Sequence, residues 1–289
     1  MSLVKMTPEV SIIVVNYHTE AEVLRLLESA RAHPPFRDFH VILVDNSPGH
    51  AIEFPLGPGD VYLPQETNIG FGPACNAGAR ASAAPYLFFA NPDLEFVGDL
   101  SPLADAVRGD VIAVCPLIDP PGLFQNRRLP TLFFFALDFM GLHRVFPENA
   151  LAGYYYYFPP PKAPFDVEQP AAAAVLFSRE RFLAYEGFDP DFVPAWFEDV
   201  DLFARVRRAG RKVECHPDFK VRHAEGVTAR QLGRTRFFEY YGRNCVRYFR
   251  KHHEFPAVWG VKGILAAGLA LRALLGKVSP ALPFKVWGW

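Results

Sequence analysis

Very little net charge is left on this chain: 30 Lys and Arg stand against 31 Asp and Glu, a formal net charge of −1. That balance argues against a protein that holds nucleic acid by bulk charge. Cysteine is scarce too. Cys75, Cys115, Cys215 and Cys245 are widely spaced with no CxxC pair, which reads as reduced, mostly buried thiols of a cytosolic protein. Met1 to Thr7 lacks a sustained apolar run, so no secretory leader is expected there, and the first such run, Val10 to Val15, looks like a strand. No uninterrupted apolar run reaches the roughly 20 residues needed to span a bilayer. Internal repeats, a P-loop, a GxGxxG and HxxxH spacings are all absent. What is present is apolar bulk. Half of the 289 residues are hydrophobic and 15% are aromatic, with 27 Phe. That is enough for one large domain or a domain with appendages, and it hints at apolar surface in need of a partner.

Strand and helix alternate over the first 115 residues. Strands are predicted at 10–15, 39–45, 60–64, 86–90 and 111–115, with helices at 20–32, 72–83 and 99–108 between them. Continuous apolar strands separated by amphipathic helices predict an α/β domain, its mainly parallel sheet flanked by helices on both faces. Ligands then bind outside the carboxyl ends of the strands. The polar residues gather there: Asn16-Tyr17-His18, Asp45-Asn46-Ser47, the run "QETNIGFGPACN", and Asn91-Pro92-Asp93. Residues 116–170 are too apolar for a solvated loop and too Pro-rich for regular structure. A strand resumes at 171–178, a short helix follows at 179–185, and short strands are expected at 211–217 and 219–223. From 230 the chain reads as helical to about 251, then again over 257–276.

The stretch "FEDVDLFARVRRAG" is a helix crowded with acid at its start. Val200, Phe203 and Val206 recur at helical spacing, Gly210 stands at the C′ position, and Arg205, Arg207 and Arg208 fill the last turn. Acids at a helix N-terminus are favoured by the dipole. Asp201 has Arg205 four residues on, an ordinary ion pair. Glu198 and Asp199 have no such local cation, and Asp199 fits an N-cap or a functional carboxylate. Asp93, placed by Pro92 just past a buried strand, fits a turn residue as well as a ligand for a cation on phosphate oxygens. Gly70 and Gly72 precede a small-residue helix, where backbone can approach a ligand closely and free N–H groups face an anion. An ordinary Gly-rich turn reads equally well. Tyr17 and Asp45 could stack on a base and accept its N–H, or be a buried Tyr and an Asx-turn. His223 ends a strand and could meet Asp93 as a second metal ligand.

The order of these features resembles the inverting family-2 glycosyltransferases of GT-A fold, especially the bacterial rhamnosyltransferase-like members. The likeness spans roughly residues 9–225 and rests on NxGFGxxxN, NPD and FEDVDLxxRxxxxG in combination. It implies a GT-A catalytic domain over 1–229, with a nucleotide-sugar half at about 8–115 and an acceptor half at 116–229. A C-terminal helical extension occupies 230–289. It implies that Asn16, Tyr17, Asp45, Asn68, Gly70, Phe71, Asn76, Asn91 and Asp93 bind the donor. Asp93 and His223 hold Mg²⁺ or Mn²⁺, Asp199 with Glu198 is catalytic, and Trp196 and Phe197 form the acceptor side. The sequence departs from the family pattern at Asn16-Tyr17-His18, at Ala171 to Ala174, and at the "HAEG" after the last strand.

The expected activity is metal-dependent, inverting transfer from a nucleoside-diphosphate sugar to a glycan or lipid-linked acceptor, with rhamnose transfer in cell-surface polysaccharide synthesis as the sharpest form. Such a displacement needs a carboxylate to deprotonate the acceptor hydroxyl, positive charge on the departing diphosphate, and apolar walls around the sugar. A nucleotidyltransferase would carry an early Gly-rich basic signature that is missing here. A catalytically inactive sugar-nucleotide or glycan-binding module is the rival from another class. The apolar helix 257–276 is interrupted by Lys262 and bounded by Arg272. Trp259, Trp287 and Trp289 suit an interfacial depth, and Lys262, Arg272, Lys277 and Lys285 could meet anionic headgroups, which predicts peripheral contact of 257–289 with the cytoplasmic face of the membrane; a helix packed on the catalytic domain reads equally well.

Overall fold

A computed structural model describes residues 9–49, 53–119, 125–141, 150–223 and 232–289. The N-terminal stretch 1–8, the "AEG" after His223 and the expected 229/230 boundary lie outside the described residues. Strand β1 (Val10–Asn16) leads through α1 (Glu20–Ala32) to β2 (Phe39–Asp45) and β3 (Val61–Pro64). Then come α2 (Phe71–Ala81), β4 (Tyr86–Ala90), β5 (Leu94–Phe96), α3 (Pro102–Ala106) and β6 (Val111–Ile118). These follow the predicted alternation, because β1, β2, β4 and β6 are largely buried apolar runs and the helices between them are amphipathic.

The sheet is mixed. Its order is β3-β2-β1-β4-β10-β6-β11-β5, with β10 at Ala174–Ser178 and β11 at Lys212–His223, and a short β8 (Phe165–Asp166) paired on β11. Strands β1 to β4 are mutually parallel, and β6 is parallel to β11. Strand β10 runs antiparallel to both β4 and β6. The cause is the path of the chain. It leaves β6 at the carboxyl edge and re-enters the sheet as β10 from that same edge. The two short strands expected near 217 are one strand, β11, whose register slips between His216 and Lys220. Pro217, which lacks an N–H, falls in that bulge.

Alternate residues of the strands feed two cores. Ile12, Val14 and Leu43 pack with Val23, Leu26 and Leu103 on one face. Ile13, Val44 and Phe89 pack on the other, with Cys75 and Ala79, Phe182 of α6 (Arg179–Ala184), and Leu202 and Val206 of α7 (Glu198–Arg208). The cysteines are buried and free, as expected.

Residues 116–170 hold more regular structure than their proline content predicts. Helix α4 (Leu132–Phe139) starts at Thr131, whose side chain accepts from the Phe134 amide, and α5 (Ala150–Tyr156) follows. A two-stranded antiparallel ribbon pairs β7 (Asn126–Arg127) with β9 (Gln169–Pro170). Pro130 and Pro159 to Pro161 stand between elements, where a missing N–H costs nothing.

The C-terminal helices α8 (Arg234–His252), α9 (Phe255–Leu274) and α10 (Leu282–Lys285) do not stand apart. Cys245, Phe249, Val261, Leu265 and Leu269 share a third core with Phe135 and Phe139 of α4 and with Val200 and Ala204 of α7. The helix carrying the acids is thereby wedged between the sheet and the C-terminal helices.

Candidate active site

One cavity of about 380 Å³ opens at the carboxyl edge of the sheet. Of the predicted donor residues, Tyr17, Asn68, Phe71, Asn91 and Asp93 line it, and so does His223. Trp196, Phe197, Glu198 and Asp199 line it as well.

Asp93 sits in the turn between β4 and β5. The antiparallel pairing of β5 with β11 sets His223 opposite Leu94, one residue from that turn. His223 Nε2 and Asp93 Oδ1 are 2.9 Å apart, and both side chains are nearly buried. Asn91 Nδ2 lies 3.4 Å from the same imidazole nitrogen. Two metal-competent atoms from positions 130 residues apart thus converge on the cavity wall.

Asp199 Oδ1 accepts from the Val200 amide at 2.7 Å, and Oδ2 accepts from Gln169 Nε2 at 3.3 Å. Burial pushes the Asp199 carboxyl above the usual range, and the nearby Arg127 guanidinium draws it back down. The cation that Asp199 lacks in local sequence is therefore supplied from β7. Glu198 is pushed well above its ordinary range, by burial first and by Asp199 second. Its Oε2 is buried without a partner among the described residues. Asp201 faces away from the cavity and is fully buried. Arg205 Nε at 2.9 Å, Lys251 Nζ at 2.7 Å and His252 Nε2 at 2.7 Å surround its carboxylate. The Asp201–Arg205 pair read from the sequence exists, but as part of a buried network binding α7 to α8.

The segment entering α7 is strained and clamped. Trp196 and Phe197 both adopt left-handed backbone, with φ of 73° and 71°, a conformation costly for bulky residues. Asn244, fully buried on α8, donates from Nδ2 to the carbonyls of Ala195 at 2.9 Å and Trp196 at 3.1 Å. Gly70 helps from the other side. A Cβ there would meet Val193 Cγ1 at 2.8 Å, and the Phe71 amide donates to Pro194 O at 2.7 Å. The close approach that glycine permits is thus of loop 193–194 rather than of a ligand, which corrects the sequence reading.

Four predicted donor residues do not line the cavity. Asn16 is buried and donates to Asp45 Oδ1 at 2.9 Å and Ser47 Oγ at 3.2 Å. Asp45 also accepts from the Ser47 amide and from the Tyr62 hydroxyl, so its oxygens are occupied in this structure. The burial of the Tyr62 hydroxyl, with Asp45 beside it, pushes that phenol up to about 12. Asn76 spends both ends of its amide on the backbone of Phe188, at 2.6 and 2.9 Å. Gly70 is the fourth. All four support the wall from behind. Sequence reading missed Arg127, Gln169 and Asn244, and named Asn46 only within the Asp45-Asn46-Ser47 strand tail. Gln169 left a faint trace as the lone amide beside the buried run "PAAAAVLF".

Residues 11–150 match the sequence model of glycosyl transferase family 2. The O-antigen biosynthesis protein RfbC of Myxococcus xanthus is 29% identical over 240 residues, which cover 78% of this chain and 18% of that protein. The chain therefore spans less than a fifth of that relative's length. Among solved structures, the mannosyltransferase PcManGT from Pyrobaculum calidifontis, in complex with GDP-Man and Mn²⁺, superposes with a TM-score of 0.56 at 15% identity. The match covers 98% of this chain and 80% of that one. GalNAc-T7 with UDP, GalNAc and Mn²⁺ gives a TM-score of 0.55 at 13% identity, over 93% and 58% of the two chains. The fold is that of the GT-A glycosyltransferases.

Proposed function

We propose that this chain moves a sugar from a nucleoside-diphosphate sugar to a glycan or lipid-linked acceptor, with inversion at the anomeric carbon. One observation carries the reading: a single cavity is lined both by the Asp93–His223 pair and by the Glu198–Asp199 pair. The donor diphosphate belongs at Asp93 and His223. The acceptor hydroxyl belongs at Asp199. Asp199 takes its proton as the oxygen attacks the anomeric carbon, and the sugar–diphosphate bond breaks on the opposite side. Gln169 and the Val200 amide hold the carboxylate in place for that transfer. Trp196 and Phe197 exclude water beside it.

A carboxylate oxygen and an imidazole nitrogen that converge on the cavity wall suit Mg²⁺ or Mn²⁺ with diphosphate oxygens completing the shell. Asp93 and His223 would hold the cation, which would supply positive charge to the departing diphosphate. Mn²⁺ in both structural neighbours supports this assignment. The O-antigen relative supports a role in cell-surface polysaccharide synthesis, and the rhamnosyltransferase-like motifs favour a deoxyhexose donor.

The test is a panel of UDP-, dTDP- and GDP-sugars with Mg²⁺ or Mn²⁺, read by thermal shift and nucleotide release. One donor class should stabilise the protein in a metal-dependent way and release nucleotide. Indifference to every donor with either cation would contradict the proposal.

We further propose that α9 rests on the cytoplasmic face of a membrane. By length and composition alone this helix is long and apolar enough to cross one. It packs by one side on α4, α8 and α10 and leaves an uncharged stripe outward, with Phe255, Trp259, Leu271 and Leu274 exposed. Its two cations turn inward. Lys262 Nζ donates to the Trp287 carbonyl, and Arg272 to those of Gly268 and Phe139. They are spent inside the protein, and Lys285 Nζ pairs with Glu239 Oε1 at 2.9 Å, so Lys277 remains to meet anionic headgroups. A one-sided stripe ending in Trp259 and Trp287 suits interfacial depth rather than a span.

A further inference from the structure

Five buried side-chain nitrogen or oxygen atoms lack a hydrogen-bond partner among the described residues. Four of them belong to residues lining the cavity: Asn46 Oδ1, Arg127 Nε, Gln169 Oε1 and Glu198 Oε2. Leaving such an atom unsatisfied costs the full desolvation of that group. Their concentration in one cavity therefore marks where a polar ligand belongs. Asn46 directly follows β2. The other three surround Asp199.

Arg127 and Gln169 stand directly opposite one another in the β7–β9 ribbon. Opposed residues of an antiparallel pair project from the same face, with Cβ atoms about 5 Å apart. Both line the cavity. Gln169 is almost completely buried, and its orientation is fixed because Nε2 donates to Asp199. Its Oε1 is thus left as an acceptor beside the base, with the Arg127 Nε donor across the ribbon. An orphan donor and an orphan acceptor side by side complement a pair of hydroxyls, each of which can both give and take a hydrogen bond.

Charge separates a neutral ligand from an anionic one. Arg127 is the one Lys or Arg among the described residues lining the cavity, against the carboxylates of Asp93, Asp138, Glu198 and Asp199. Asp138 Oδ2 already lies 3.9 Å from the Arg127 guanidinium. A uronate or phosphate placed there would face three carboxylates for one shared cation. Tyr155, Tyr241 and Trp196 give the cavity aromatic walls, which suit the apolar face of a sugar ring.

We infer that the β7–β9 ribbon is an acceptor subsite for a neutral sugar. Gln169 Oε1 takes a hydrogen bond from one ring hydroxyl, and Arg127 Nε gives one to a neighbouring hydroxyl. This subsite rests on the glycosyl-transfer reading above. It places the vicinal diol of the acceptor beside the hydroxyl that Asp199 deprotonates, so acceptor choice is made by Arg127 and Gln169 together.

The test is saturation-transfer NMR on the full chain with Mn²⁺ and UDP or GDP, using methyl hexopyranosides and the matching methyl hexuronides as probes. The neutral glycosides should give the stronger signal. Gln169→Met and Arg127→Met, which keep side-chain length, should each weaken it about fivefold, the worth of one hydrogen bond of about 1 kcal/mol. Nucleotide signals should persist in both variants and report an intact fold. A preference for uronides overturns the subsite. So does an unchanged neutral signal in both variants, or no glycoside signal while nucleotide binds. Failure of nucleotide itself to bind with Mn²⁺ would instead remove the glycosyl-transfer reading, and the subsite with it.

Discussion

Asp199 and Asp201 lie two residues apart on α7 and face opposite sides of it. That spacing turns the helix by about 200°. Asp199 lines the cavity with Gln169 on one oxygen, whereas Asp201 is sealed among Arg205, Lys251 and His252. One acid is available for chemistry and the other joins α7 to α8.

Asp201→Asn should therefore cost stability far beyond a surface ion pair. Breaking a buried pair from one side costs about 3–5 kcal/mol, readable as a lower midpoint in urea. The wild-type network also has a pH signature. Burial pushes the Asp201 carboxyl up, but His252, Lys251 and Arg205 outweigh it and bring it down from 3.8 to about 2. Its folded-state value is depressed, so the stabilisation is present above pH 3.8 and lost as pH falls through 2. Urea midpoints between pH 5 and pH 2 should converge for wild type and variant. Parallel curves would contradict the network.

Glu198 carries the opposite sign. Its folded-state value is raised by burial, so its contribution is favourable below the ordinary carboxylate range and is lost as pH rises. Glu198→Gln should stabilise the protein at pH 8 by about 1–3 kcal/mol, the scale of one unsatisfied buried group. The gain should shrink toward pH 4. Thermal melts at both pH values check this.

Asn244→Ala should loosen the entry to α7. Two left-handed aromatic residues lean on its amide, and strain of that kind costs about 1–3 kcal/mol for each residue. The expected result is faster proteolysis at 193–197 in the native protein, with nucleotide binding at Asp93 and His223 retained. Unaltered cleavage at that segment would mean that the clamp is redundant.

The outward stripe of α9 should bind vesicles. Co-sedimentation with anionic liposomes is expected for the full chain. Phe255→Ser, Trp259→Ser and Leu274→Ser combined should abolish it without lowering the melting temperature, since all three are exposed. Equal retention of both proteins in the supernatant would reject the membrane assignment.

The strand ends were legible because buried strands write continuous apolar runs, and polar residues after such runs must lie at the sheet edge. Asp93 and Tyr17 could be read that way, and Asp199 from an acid-crowded helix start without a local cation. His223 needed the β5–β11 pairing to reach Asp93. The reversal of β10 was hidden, since an antiparallel strand buried on both faces reads like a parallel one. Arg127 and Gln169 were invisible because their two-residue strands are too short for a period. They meet Asp199 only through a ribbon closed across some 40 residues. Asn16, Asp45 and Asn76 were misplaced for a related reason. Sequence puts a polar residue at the edge, but only packing decides whether it faces the ligand or ties the wall together. Lys262 and Arg272 looked like headgroup contacts until their carbonyl partners appeared.

The central claim is that one cavity binds a metal-linked donor at Asp93 and His223 and performs proton transfer at Asp199. Comparing Asp93→Ala with Asp199→Asn tests it most directly, with Mn²⁺-dependent nucleotide binding and sugar transfer measured on the same preparations. Asp93→Ala should lose metal-dependent binding and turnover together. Asp199→Asn should bind nucleotide like wild type while transfer falls at least about a hundredfold, within the range for loss of a general base. Full transfer by Asp199→Asn, or undiminished metal-dependent binding by Asp93→Ala, would contradict the account.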